Sequence, residues 1–180
     1  RLLRLLDVRL ATSISLYTLA LSGNTELGAM NRMRELSGLS LQARWRLAAA
    51  YAMAGRKDVA HSLVFNATDR VQAYSFNNDT YGSSGRDQAM ILETYLLLDN
   101  VEKAMELAPS VAQSLSSGYI TTQEASFGLV AMAQLADKVG SGNIDIDWTL
   151  NGNNMEPVNT PKAIHQVDIK PDTRLTVNLT

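Results

Sequence analysis

Three stretches of the chain are apolar almost all the way round a helical wheel. Residues 43–54 (ARWRLAAAYAMA) are interrupted only by Arg44 and Arg46. Residues 89–98 (AMILETYLLL) carry only Glu93 and Thr94 as polar members, and residues 127–136 (FGLVAMAQLA) are similar. A helix apolar on every side has to be buried on every side. Between these lie amphipathic stretches: residues 26–36 with Arg32, Arg34 and Glu35 on a polar face, residues 58–65, and residues 101–115. Residues 11–140 therefore read as seven helices in the order inner, outer, inner, outer, inner, outer, inner. That is the pattern of stacked αα-hairpins, either an open solenoid or a closed α/α toroid. Trp45, Tyr51, Leu92, Leu96, Leu129 and Met132 are the expected core residues.

Short polar breaks separate the helices, at residues 22–25, 37–40, 55–57, 99–100 and 116–118, with one long break over residues 66–84. Several breaks carry helix-start chemistry. Ser40 and Asn100 suit N-caps, Thr121 with Glu124 has capping-box spacing, and so does Ser84 with Asp87. Arg86 and Asp87 are expected to hold the helix start that follows the long break. Pro109 interrupts the apolar pattern of residues 101–115, which predicts a kink or restart there.

From Gly140 the period changes. Residues 143–150 (NIDIDWTL) alternate Ile144, Ile146 and Trp148 against Asn143, Asp145 and Asp147, and residues 163–169 and 175–179 alternate likewise. A period of two predicts strands. Asn151-Gly152 is a hairpin-turn dipeptide. The chain is thus expected to divide into a helical domain over residues 1–140 and a β segment over residues 141–180. Its fold class is mostly α: αα-hairpins of a partial α/α toroid, then a short antiparallel β segment. Three strands make a thin sheet, so others outside this chain are expected to complete it.

Composition narrows the chemistry. Hydrophobic residues make up 46% of the 180 residues and charged residues 19%, enough to build a core. The net charge of −2 lacks the basic excess of a general nucleic-acid binder. Charge is uneven: residues 1–70 hold ten basic and five acidic groups, residues 71–180 six and thirteen. There is no cysteine, so disulfides, thiolate nucleophiles and Cys-ligated metals are excluded within the chain. His61 and His165 are the only histidines, and they lie in different structural regions. Most acids fall on outer helices or loops (Asp58, Glu102, Glu106, Asp137), leaving Glu93 as the inner-helix carboxylate. A glycosidase needs two carboxyl groups flanking one bond. The expectation is no enzyme, no catalytic residue, no cofactor and no metal. Residues 1–11 (RLLRLLDVRLA) are broken by charges and read as neither a signal peptide nor a membrane span. Both ends look cut, as in a piece excised from a longer protein. Three Asn-x-Thr triplets, at Asn66, Asn78 and Asn178, match the glycosylation acceptor pattern and read as chance matches in an Asn- and Thr-rich chain.

Leu47, Ala48, Tyr51, Gly55 and Ala60 sit at offsets that suit a tetratricopeptide repeat, and Ile91, Leu92, Tyr95 and Ala104 repeat much of it. The two tyrosines lie 44 residues apart in the sequence, whereas such a repeat has a period of about 34. Generic αα-hairpins are the plainer reading. A tetratricopeptide-like scaffold binding peptides or proteins in a groove remains the alternative.

Four stretches taken together, LYTLALSGNTELGAMNRMREL (16–36), LSLQARWRLAAAYAMAGRKDVAHSL (39–63), DTYGSSGRDQAMILETYLLL (79–98) and LSSGYITTQEASFGLVAMAQ (115–134), resemble the thioester-domain region of bacterial alpha-2-macroglobulins. The resemblance covers about three-quarters of the chain. It implies an α/α toroid inserted into a β domain, in a protein that traps proteases when a bait segment is cut. It also implies a periplasmic or cell-envelope location, with proteases and other domains of the parent as partners. Many members carry a thioester made from a Cys and a Gln. This chain has no Cys, so either that motif lies upstream or the parent is of the kind that lacks it, and no catalytic residue of the family carries over to a position here. Seven helices are too few to close the full toroid. The apolar residues of positions 1–21, together with an unpaired last strand, therefore predict self-association of the isolated chain.

Overall fold

The computed structural model describes residues 2–72, 82–140, 144–160, 170 and 173–179. Among them are seven helices: α1 (Leu2–Leu21), α2 (Leu27–Arg34), α3 (Leu41–Met53), α4 (Lys57–Val64), α5 (Ser84–Leu97), α6 (Val101–Leu115) and α7 (Thr122–Val139). Four strands follow: β1 (Ile144–Leu150), β2 (Asn153–Asn154), β3 (Val158–Thr160) and β4 (Leu175–Leu179). The fold is mostly helical with a short antiparallel sheet at its C-terminal end, as the two periodicities require. The chain divides into two compact units, Arg1–Leu135 and Ala136–Thr180. The first helix starts at Leu2, nine residues before the expected onset at residue 11.

The helix ends follow their local chemistry. Ser40 Oγ accepts from the Ala43 N–H at 3.2 Å, and Asn100 Oδ1 from the Lys103 N–H at 3.2 Å. Thr121 and Glu124 form both halves of a capping box: Thr121 Oγ1 accepts from Glu124 N, and Glu124 Oε2 accepts from Thr121 N, each at 3.2 Å. Helix α3 stops where Gly55 adopts φ +74°, which lets the Arg56 N–H reach back to the Tyr51 carbonyl at 2.8 Å. That reverse bond is the glycine-terminated helix end, and a Cβ at Gly55 would strain it.

Two start signals read differently in three dimensions. The cap of α5 is Ser83, whose Oγ accepts from the Arg86 N–H at 3.1 Å, and Ser84 is already the first helical residue. Helix α6 runs through Pro109 as one helix and does not restart. Pro109 is exposed, and so is Met105, whose carbonyl would take the N–H that a proline lacks.

Helix α3 is the centre of the helical unit and lies against α1, α2, α4 and α5. Its all-apolar sequence is explained by having neighbours on every side: Trp45, Leu47, Ala48, Ala49, Ala50 and Tyr51 are all buried. Helix α5 separates two cores. Met90, Ile91 and Leu98 join the first with α1–α4, while Ala89, Leu92 and Leu96 join the second with Ala104, Val111, Ala131 and Leu135.

Helix α7 corrects the expected alternation. Only Gly128, Ala131 and Leu135 are buried on it, Met132 is half-buried, and Leu129 is 62% exposed. Leu129 is among the expected core residues, but α7 meets the second core along one stripe and leaves the other side bare. Helix α1 is likewise buried along one stripe (Leu10, Ser13, Leu16, Tyr17, Ala20), with Val8, Leu19 and Leu21 exposed. The side chains of Leu2, Leu3, Leu5 and Leu6 lie outside the described residues.

In the C-terminal unit β1 is the middle strand. It pairs β4 along residues 146–150, and β2 and β3 at its two ends, all antiparallel. Each residue of β1 has two sides, so β2 and β3 share the edge opposite β4. They are one returning strand interrupted around Pro157, which has no N–H to give the ladder. The Asn151-Gly152 turn has φ of +52° and +82°, the double positive value that a two-residue hairpin needs. Trp148 and Leu150 are register partners of Val177 and Leu175, so these apolar residues share one face of the sheet. The expected strand over residues 163–169 lies outside the described residues.

Candidate functional site

Two of the three charges that interrupt the inner helices meet. Arg46 of α3 and Glu93 of α5, 47 positions apart, form an ion pair through Arg46 Nη1 and Glu93 Oε2, with both side chains 4% exposed. The other carboxylate oxygen, Oε1, accepts from the Tyr17 hydroxyl of α1 at 2.6 Å and from Gln134 Nε2 of α7 at 3.1 Å. Four helices thus each supply one polar side chain to a single buried cluster. The Arg46 guanidinium lies 3.5 Å from the Tyr17 ring centroid and 5.2 Å from that of Phe127, a stacking that its flat, weakly hydrated cation favours. Its Nε meets no acceptor among the described residues. Burial, and then the neighbouring Glu93 carboxylate, push the Tyr17 hydroxyl well above the ordinary range of a phenol.

A second aromatic group pins the start of the long segment after α4. Trp45 Nε1 donates to the Thr68 carbonyl at 3.0 Å, and the Tyr95 hydroxyl donates to Asp69 Oδ2 at 3.1 Å. The Trp45 and Tyr95 rings stack edge-on with centroids 4.9 Å apart. Burial, and then Asp69, raise the Tyr95 hydroxyl as well. Residues 79–81 of the same segment, and Asn78 of its Asn-x-Thr triplet, lie outside the described residues.

The third group sits at the start of α5. Arg86 Nε and Nη2 donate to Asp87 Oδ1 at 3.0 and 2.8 Å, and its Nη1 donates to Gln123 Oε1 at 3.0 Å. This start packs so closely that a Cβ on Gly85 would fall 2.6 Å from Ser114 Oγ and 2.8 Å from Glu124 Oε1. Arg86 and Asp87 do hold the helix start, and both are buried.

Asp87 adds a second inner-helix carboxylate that the sequence pattern missed, because the apolar run begins only at residue 89. It does not make a pair of acids with Glu93. Six positions on one helix place them about 9 Å apart along the axis and about 120° apart around it. Each already has an arginine against it. The other acids singled out from the sequence, Asp58, Glu102, Glu106 and Asp137, are all exposed. Asp58 lies against Arg56, and Glu106 against Lys103. His61 is exposed on α4, and His165 lies outside the described residues. Among the described residues no three His, Asp or Glu side chains gather as metal ligands, and no helix is long and apolar enough to cross a membrane.

Most of the repeat-like positions are core positions, while Gly55 is exposed and Tyr95 half-buried. Leu47, Ala48, Ala60, Leu92 and Ala104 are fully buried. The Tyr51 hydroxyl donates to Asn31 Oδ1 at 2.7 Å, joining α3 to α2. Tyr51 and Tyr95 thus tie helices and segments together. Comparison with known proteins returned no matching family model, no matching curated protein and no matching solved structure.

Proposed function

We propose that this chain is a packing and docking element of a bacterial alpha-2-macroglobulin-like protease inhibitor, a piece of its thioester-type α/α domain with the start of the adjoining β domain. The observation that carries this reading is the Tyr17–Arg46–Glu93–Gln134 cluster. It engages the Glu93 carboxylate with three donors from three other helices, which suits a rigid structural core. Among the described residues, the four segments of the family resemblance fall on the end of α1 with α2, on α3–α4, on α5, and on the α6–α7 turn with α7. In the parent, protease capture belongs to the whole molecule, in the periplasm or cell envelope, and this piece supplies packing surfaces for its other domains. The chain alone neither hydrolyses a substrate nor traps a protease.

The test uses the whole gene product. A trapped protease keeps its activity on a small peptide substrate and loses it on a large protein substrate. If the full-length protein leaves both activities of every endopeptidase tried unchanged, including after its most exposed segment has been cut, the proposal fails. An upstream gene sequence without several hundred residues of β domains would also sink it.

A further inference from the structure

The Asn151-Gly152 turn does two jobs at once. It closes the β1–β2 hairpin, and it contains the one Asn-Gly step of the chain. Asn is among the heat-labile residues. A following Gly, with no Cβ to shield its nitrogen, is the neighbour least able to obstruct attack on the Asn side chain. Both residues are exposed, so water and base reach the turn. We propose that Asn151 is a site of spontaneous deamidation, held back by the folded sheet and released when the sheet opens.

The chemistry needs only water. The Gly152 nitrogen attacks Asn151 Cγ, its proton passing to base. The Cγ–Nδ2 bond breaks and ammonia leaves, giving a five-membered succinimide. Water then adds to one of the two ring carbonyls. Opening on one side yields an ordinary aspartate at this position, and on the other an isoaspartate, whose backbone runs through the former side chain.

The structure opposes the first step in two ways. The Asn151 carboxamide oxygen is tethered, because Oδ1 accepts from the Arg174 N–H at 2.9 Å. The backbone is held as well: Asn151 N donates to the Arg174 carbonyl at 2.9 Å, and the flanking pairs Leu150↔Asn153 and Thr149↔Asn154 fix the turn in its positive-φ form. Ring closure needs the carboxamide to swing away from Arg174 onto the Gly152 nitrogen. The two bonds to Arg174 come from the residue preceding β4, so release of β4 from β1 frees the carboxamide and the Asn151 N–H together, and parting of the β1–β2 pairs then frees the turn. The two products differ in consequence. The aspartate keeps an oxygen for the Arg174 N–H. Isoaspartate adds a backbone atom to a two-residue turn and destroys the Leu150↔Asn153 register.

The experiment compares the whole chain folded and in concentrated urea, in the same mildly alkaline buffer. Tandem mass spectrometry locates the amide-to-acid mass gain, and isoaspartate is counted with an isoaspartate-specific methyltransferase. The expected result is conversion at Asn151 on the order of tenfold or more faster in urea than in the folded chain, since reaction then no longer waits for local opening. Asn151→Gly, which keeps a positive-φ turn, should remove the signal from that peptide. No conversion at Asn151 in urea, or equal rates in the two states, would overturn the proposal.

Discussion

Helices α5 and α7 look alike on paper and behave differently in the molecule. AMILETYLLL and FGLVAMAQLA have nearly the same apolar content, yet Leu92 is completely buried while Leu129 is 62% exposed. The difference lies in how much of each helix its neighbours cover. Helix α5 stands between two cores, so every side of it finds an apolar neighbour. On helix α7 only Gly128, Ala131 and Leu135 are fully buried; Phe127 packs part-buried against both cores and Met132 against the second, while Leu129 and Val130 stay in water. Apolar sequence states what a helix can bury. Its neighbours decide what it does bury.

The polar cluster should show the largest effect, because α5 holds its charge and α7 only helps to satisfy it. Arg46→Met leaves the Glu93 carboxylate buried without its cation and should cost about 3–5 kcal/mol in urea unfolding. The double variant Arg46→Met, Glu93→Leu should be more stable than Arg46→Met alone, since both charges go together. Gln134→Ala, the contribution of α7 to the same carboxylate, should cost about 1 kcal/mol. If Gln134→Ala cost as much as Arg46→Met, α7 would be as integral to the core as α5.

Core truncation draws the same contrast. Leu96→Ala on α5 should cost about 2–5 kcal/mol, whereas Leu129→Ala on α7 should stay within about 0.5 kcal/mol. A large loss at Leu129 would place an unseen neighbour on the bare side of α7. At the start of α5, Gly85→Ala forces a methyl group onto Ser114 and Glu124 and should cost about 1–3 kcal/mol.

A smaller effect should appear with pH. The Tyr17 and Tyr95 hydroxyls are raised in the folded state above their ordinary value. Their contribution is therefore complete below about pH 10 and is lost as pH climbs beyond it. Tm should fall above that point, and Tyr17→Phe should flatten the alkaline fall. An unchanged alkaline slope in Tyr17→Phe would mean that the Tyr17–Glu93 bond adds nothing.

The sequence by itself determined the local features of this protein. Caps at Ser40, Asn100 and Thr121 use side chains one helical turn from the N–H they satisfy, so their chemistry lies within a four-residue window. The period change near residue 140 and the Asn151-Gly152 turn were legible for the same reason. The cap of α5 was misplaced by one residue because Ser83 and Ser84 are chemically identical, and only the backbone shows which one turns into the helix. Strands β2 and β3 were missed because two and three residues are too few to show a period. Only tertiary structure decided the rest. Nothing local says that Arg46 should meet Glu93, 47 positions on, or that Tyr17 should reach the same carboxylate from 76 positions away. The side on which α7 is left bare is also a matter of neighbours. Burial is a property of a pair of surfaces, and a linear pattern carries one surface at a time.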